Sequence, residues 1–206
     1  MKVVVFALIC AALGGAGDPP PSGEMSSDEF VEWHAHEAAG WSALGRGHAD
    51  VAEREFRVAV RIAQPHGAKD PRLLARTYNS LAWALHVQGR DEDALPLAEW
   101  ALVVREARNG PKSEQVSETL YVLAMVENAL QRPDLAEARL ARVLTIQEGK
   151  QGRESYRVAG ALVDLAVAQI ERRKYGSARA SLERVLAMPT SAVDSGDVLR
   201  VLANVG

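Results

Sequence analysis

The sequence predicts an all-α protein built as an array of stacked helical hairpins, and three observations carry that expectation. Apolar residues recur at steps of three and four, the composition leans on Ala, Leu, Glu and Arg over β-branched residues, and sets of positions repeat every 42 residues. The remaining composition narrows the classes. With 48% apolar and 25% charged residues in 206, the chain is neither disordered nor collagenous. A net charge of −3 gives no basic excess for nucleic acid, and one cysteine, Cys10, excludes an internal disulfide framework and a cysteine zinc site.

The elements follow in order. Residues 1–16 read as a secretory signal: Met1-Lys2, an apolar run from Val3 to Leu13, then the small residues Gly14-Gly15-Ala16-Gly17. An eleven-residue helix rises about 17 Å, too short for a hydrocarbon core of about 30 Å, so no stable membrane span is expected. Cleavage after Ala16 places the mature protein outside the cytoplasm, secreted or periplasmic. A lipid anchor on Cys10 and an uncleaved N-terminus of a cytoplasmic protein are the alternatives. Residues 17–27 read as a linker, with three successive prolines forbidding helix, and the repeat array is expected over 28–206.

Ser26-x-x-Glu29 is a capping-box pattern that opens the first helix. Beyond it, Ala52, Ala94, Ala136 and Ala178 lie 42 apart, as do Phe56, Ala98, Leu140 and Leu182, and Val60, Leu102, Leu144 and Leu186. The Leu-Ala pairs 81-82, 123-124 and 165-166 keep the step, with Ala39-Gly40 as a weaker first copy. Four copies are expected, at about 33–74, 75–116, 117–158 and 159–189, each with two helices. Short turns near Gly45 to Ala49, Gly89-Arg90, Gln131 to Pro133 and Arg173-Lys174 close the hairpins. Asp70-Pro71 is expected to supply a capping carboxylate and a first-turn proline, and Asp91 to cap the next helix. After Met188-Pro189 the period breaks, and a final helix over 195–205, capped by Ser195, is expected to cover the end of the array.

The second copy, Tyr78-Asn79-Ser80-Leu81-Ala82 followed by Gln88-Gly89-Arg90-Asp91-Glu92-Asp93-Ala94 and Ala101-Leu102, resembles the tetratricopeptide repeats, in the 42-residue variant of kinesin light chains. The resemblance covers about 170 residues and implies a right-handed α-solenoid of about four helix-turn-helix repeats plus a C-terminal capping helix. It puts Gly40, Ala82, Ala124 and Ala166 at close helix crossings. The first copy, with His36 and Ala39, and the third, with Gln131-Arg132-Pro133 at its turn, depart from the family pattern and are expected to be the least regular.

The same resemblance implies a function. In this family the first helix of each copy lines a concave groove that takes an extended peptide or a partner helix. By register that places Trp41, Arg76, Asn79, Trp83, His86, Glu118, Tyr121, Met125, Asn128 and Val167 in a partner-binding groove, with His34, Glu37, Leu44, Val163 and Ile170 beside them. Trp41, Trp83, Met125 and Val167 are again 42 apart and form an apolar stripe, which serves either as partner site or as core. Only Asn79 matches the paired asparagines of kinesin-light-chain-like grooves, and the two-lysine clamp of chaperone-binding relatives is missing.

Nothing in the residues favours catalysis. His34 and His36 are two apart on a helix and point to different sides, so they cannot share a metal, and no phosphate loop or Gly-x-Ser-x-Gly occurs. The expected function is therefore a non-enzymatic protein-binding module with no cofactor. An accessory subunit that stabilises a catalytic partner and a cytosolic scaffold are the alternatives.

Overall fold

The computed structural model describes residues 25–189, so the expected signal segment, its cleavage site and the final helix lie outside the described residues. The chain divides into two compact units, residues 1–108 and 109–206. The first contains α1 (Ser27–Gly45), α2 (Ala49–Ala63), a 3-10 turn (Gln64–His66), α3 (Arg72–Val87) and α4 (Asp91–Asn109), whose last residue opens the second unit. The second contains α5 (Glu114–Ala129), α6 (Pro133–Gln151), α7 (Tyr156–Glu171) and α8 (Tyr175–Leu186). Among the described residues there is no strand. Each unit is two consecutive helical hairpins, and the fold class is the expected all-α solenoid of helix-turn-helix copies.

The first helix starts where its capping box says. The Ser26 side chain accepts from the Glu29 amide, and the Glu29 carboxylate accepts from the Ser26 amide. Helix therefore begins at Ser27, the last residue of the expected linker. The hairpin turns share one construction. The amides of His48, Arg90, Arg132 and Lys174 donate to the carbonyls of Ala43, Leu85, Glu127 and Gln169 at 2.8–2.9 Å. Between donor and acceptor sit Gly47, Gly89, Gln131 and Arg173, with φ of 80°, 75°, 59° and 57°. These are left-handed C-caps of the Schellman type, and all four lie 42 apart.

Three local expectations are corrected. The third copy is as regular as the others, because Gln131 accepts the left-handed conformation that glycine supplies elsewhere. Pro71 is the N-cap residue of α3 and not its first helical residue, while the Asp70 carboxylate accepts from the Arg72 amide at 3.2 Å. Asp91 is already inside α4, and its carboxylate is held by His86 Nδ1 at 2.5 Å. The first copy does depart, through the 3-10 turn that follows its short second helix.

Packing follows the 42-residue register. Ala52, Ala94, Ala136 and Ala178 are wholly buried, and so are Ala82, Ala124 and Ala166. At Gly40, the first-copy equivalent, an added Cβ would lie 2.4 Å from Phe56 Cε1, so the absent side chain makes room for the one aromatic member of the Phe56, Ala98, Leu140, Leu182 series. Trp33 anchors the first unit against Ala59, Ala63, Leu73 and Leu74. Positions buried in later copies are solvated in α1: Glu32, Ala35, Ala39 and Ser42 are exposed, where Leu74, Thr77, Leu81 and Ala84 of α3 are buried. Glu32 and Ser42 thus bring polar groups, and Ala39 a smaller side chain, to positions that α3 fills with Leu74, Ala84 and Leu81.

Candidate partner-binding faces

The first helix of each hairpin carries the residues the register singles out. In the first unit, α1 and α3 bring a polar cluster into an otherwise apolar contact. Glu37 keeps 1% of its surface, accepts from the Ser80 hydroxyl at 3.2 Å, and stands 3.5 Å from Arg76 Nε. Burial pushes its carboxyl above the ordinary value of 4.5, against the opposing pull of Arg76. The Arg76 guanidinium also lies over the Trp33 ring, 5.3 Å from its centroid, and Trp33 Nε1 donates to Thr77 Oγ1 at 2.9 Å. Arg76 thus joins a buried charge to a partly open surface.

The remaining first-unit residues lie around that cluster. Asn79 is buried, and its Oδ1 has no donor partner among the described residues. Trp41 is half-buried with its ring edge-on to Phe56 at 5.6 Å. Trp83 is 8% exposed, with the His86 ring 5.1 Å away, and His86 in turn bonds Asp91. Of the two tryptophans expected in the apolar stripe, Trp41 is the open one and Trp83 belongs mostly to the interior.

The second unit uses the same register with different chemistry. The Tyr121 hydroxyl donates to Asp164, joining α5 to α7 at the step that joins Glu37 to Ser80 in the first unit. Met125 and Val167 are half-buried, as are Glu118 and Asn128, and Asn128 Oδ1 also has no donor partner among the described residues. Gly160 takes the register position of Arg76, so the second unit's face carries no cation there. The register of Glu37 and Arg76 was legible in the sequence, while the burial of Glu37 was not.

Charged clamps on the second helices hold consecutive copies together within each unit. Glu53 on α2 accepts from Arg57, Arg90 and Gln88 at 2.7–3.0 Å, and Glu137 on α6 accepts from Lys174 and Arg172. Burial alone would raise both carboxyls, but these donors hold them below the usual range. The glutamates are two copies apart, and so are Arg90 and Lys174, and Gln88 and Arg172. Among the described residues no helix is long and apolar enough to cross a membrane, and no group of three or more His, Cys, Asp and Glu side chains is arranged to hold a metal ion.

Helical hairpins repeating at 42 residues, closed by the same turn and packed through the same small residues, define a helical-repeat protein. Two tetratricopeptide-repeat models match the chain, over residues 74–114 and 110–191, and the chain belongs to that family. Solved structures similar in fold include BtubC (BKLC) from P. vanneervenii, 22% identical with a TM-score of 0.67 over 87% of this chain and 82% of that one. Another is a putative kinesin light chain from Podosopora anserina with nearly identical TPR-like repeats, 15% identical with a TM-score of 0.71 over 88% and 95%. The apo form of RapI is 12% identical, with a TM-score of 0.64 over 99% of this chain but 52% of its own. A comparison with curated proteins gives no match. The repeats make the chain a helical module of the protein-interaction class.

Proposed function

We propose that the chain binds an extended peptide or a partner helix on the first-helix faces of its copies, without catalysing a reaction. The observation that carries this reading is the Glu37–Arg76–Ser80 cluster beside half-open Trp41. It is a costly polar arrangement, and Arg76 is its one partly exposed cation. Arg76 and His86 in the first unit, and Glu118 and Tyr121 beside Met125 and Val167 in the second, supply the polar rims.

Selection of a random-peptide library on the immobilised full chain tests the proposal. Selected peptides should bind the Trp41→Ala and Arg76→Lys variants at least about tenfold more weakly, while Arg76→Lys, which keeps a cation beside buried Glu37 but loses the planar guanidinium, melts within a few degrees of the parent. Undiminished binding to both variants contradicts it. The apolar N-terminus and its small-residue exit further support an exported protein that begins at Gly17. Mass spectrometry of the protein recovered from outside the cytoplasm should give that N-terminus, and retention of Met1 in the bulk of it would overturn the export reading.

A further inference from the structure

We infer that the outward face of α4 is a docking surface separate from the first-helix faces, and that it takes an amphipathic helix carrying lysines or arginines beside an apolar stripe. Glu92, Pro96, Glu99, Trp100, Val103 and Ala107 are all exposed. Their spacing sets them on one side of α4, opposite the buried Ala94, Ala98 and Ala101. Trp100 is 37% exposed and Val103 67%. The face is peculiar to α4. Where it has Pro96, Glu99, Trp100 and Val103, α2 has Arg54, Arg57, Val58 and Arg61, and α6 has Ala138, Ala141, Arg142 and Thr145.

Charge says what suits this face. On α2, α6 and α8 every acidic side chain has a basic partner: Asp50 with Arg54, Glu53 with Arg57 and Arg90, and Glu55 with His36 on the first of them. On the other two, Asp134 and Glu137 pair with Arg172, Glu148 with Arg184, and Glu183 with Arg179. Glu92 and Glu99 break that pattern, having no hydrogen-bond or ion-pair partner among the described residues. The arginines of α4 are engaged elsewhere: Arg105 is buried, and Arg108 acts on Asp70. The two open carboxylates stand about 10 Å apart along the axis, on either side of Pro96. Pro96 lacks the N–H that would donate to the Glu92 carbonyl, so the backbone there loses its helical donor too.

Acceptors beside aromatic and aliphatic side chains are complementary to lysine or arginine donors beside an apolar stripe, and they repel an acidic partner. The Trp100 ring is held edge-on to Tyr78, with centroids 5.1 Å apart, and its exposed side is open to apolar contact or to a stacked guanidinium. Tryptophan is also the residue type that most often anchors such contacts. From Glu92 to Ala107 the face runs about 22 Å along one helix, a ridge that a second helix can follow at an interaxial distance of about 8–10 Å. A second copy of the same face has only carboxylates to offer Glu92 and Glu99, so self-association here lacks the charge match that a basic helix supplies.

Fluorescence anisotropy with two synthetic helical peptides, titrated with the full chain, tests the inference. One peptide carries a leucine stripe flanked by lysine and arginine, and the other the same stripe flanked by glutamate. The basic peptide should bind, and the acidic one should bind at least about tenfold more weakly. Trp100→Ala, and Glu92→Lys combined with Glu99→Lys, should each weaken the basic peptide by about tenfold or more, and the doubly substituted chain should prefer the acidic peptide. Val103→Gln, at a site too open to disturb the core, should weaken the basic peptide by about threefold or more, which keeps the test valid if Trp100→Ala loosens the contact with Tyr78. Equal binding of the two peptides, or no binding of the basic one, would overturn the inference. A loss on Trp41→Ala that matches the loss on Trp100→Ala would place the peptide on the first-helix face and overturn it as well. So would sedimentation showing a dimeric parent that Val103→Gln dissociates, since a second copy would then cover the face.

Discussion

Glu37 is a costly side chain to place in the first unit, because its carboxyl is taken out of water and the pull of Arg76, Thr77, Ser80 and Arg105 does not outweigh that burial. Its raised folded value has a definite consequence for pH. Below about pH 4.5 the carboxyl is neutral in both states and imposes no penalty. As pH rises from there the unfolded chain ionises first, so stability is lost, and the loss is complete once pH passes the folded value. Glu53, Asp70 and Glu137 work in the opposite sense: their folded values are lowered, so their contribution is present above the ordinary range and lost as pH falls through the folded values. Those groups are common to parent and variant and cancel in a difference. The melting temperature of Glu37→Gln minus that of the parent should therefore grow from pH 4 to pH 7, and a difference independent of pH would show that Glu37 does not titrate as its burial requires. At this scale the sequence was partly readable. Gly40 beside Ala39 could be recognised as a close crossing because small residues repeat at its register, whereas Glu37 looked like a groove residue because periodicity reports which face a side chain is on, not how completely neighbours cover it.

Among the elements, the hairpin turns show how one backbone solution tolerates different residues. Gly47 and Gly89 take positive φ at little steric cost, while Gln131 and Arg173 adopt the same region with a Cβ that crowds the following carbonyl. Gln131→Gly should stabilise the chain, by about 1 kcal/mol less the extra entropy glycine loses on folding, and Arg173→Gly should do the same. Chemical denaturation with unchanged m-value is the appropriate measurement, and destabilisation by both substitutions would contradict the shared-turn assignment. The turns were visible in the sequence at Gly89-Arg90, where glycine marks the left-handed residue. They were visible only as irregularity at Gln131 to Pro133, because the signal for a Schellman turn is the glycine itself. The helix starts divide the same way: Ser26 with Glu29 is a self-contained local pattern, while the role of Asp91 was decided by His86 across the hairpin, which no local pattern encodes.

For the whole molecule the fold was legible because a strict 42-residue repeat multiplies weak local signals: one Leu-Ala pair says little, but three in register fix the hairpins to which they belong. The partner faces were less legible. Trp41 and Trp83 share a register and yet differ in burial, since the surroundings of Trp41 in α1 differ from those of Trp83 in α3. The central claim is that this register, and not composition, decides which positions have room. Ala136 on α6 and Ala107 on α4 are the same residue type in helices of the same length, one wholly buried in the 42-residue alanine series and the other exposed outside it. Added volume at the first has nowhere to go, and overpacking typically costs about 1–3 kcal/mol, or several degrees in a chain of this size. Thermal melts of Ala136→Trp and Ala107→Trp followed by helical circular dichroism test this most directly: the account predicts a melting temperature about 5 °C or more below the parent for the first and within about 1 °C for the second, and equal melting of the two variants would contradict it.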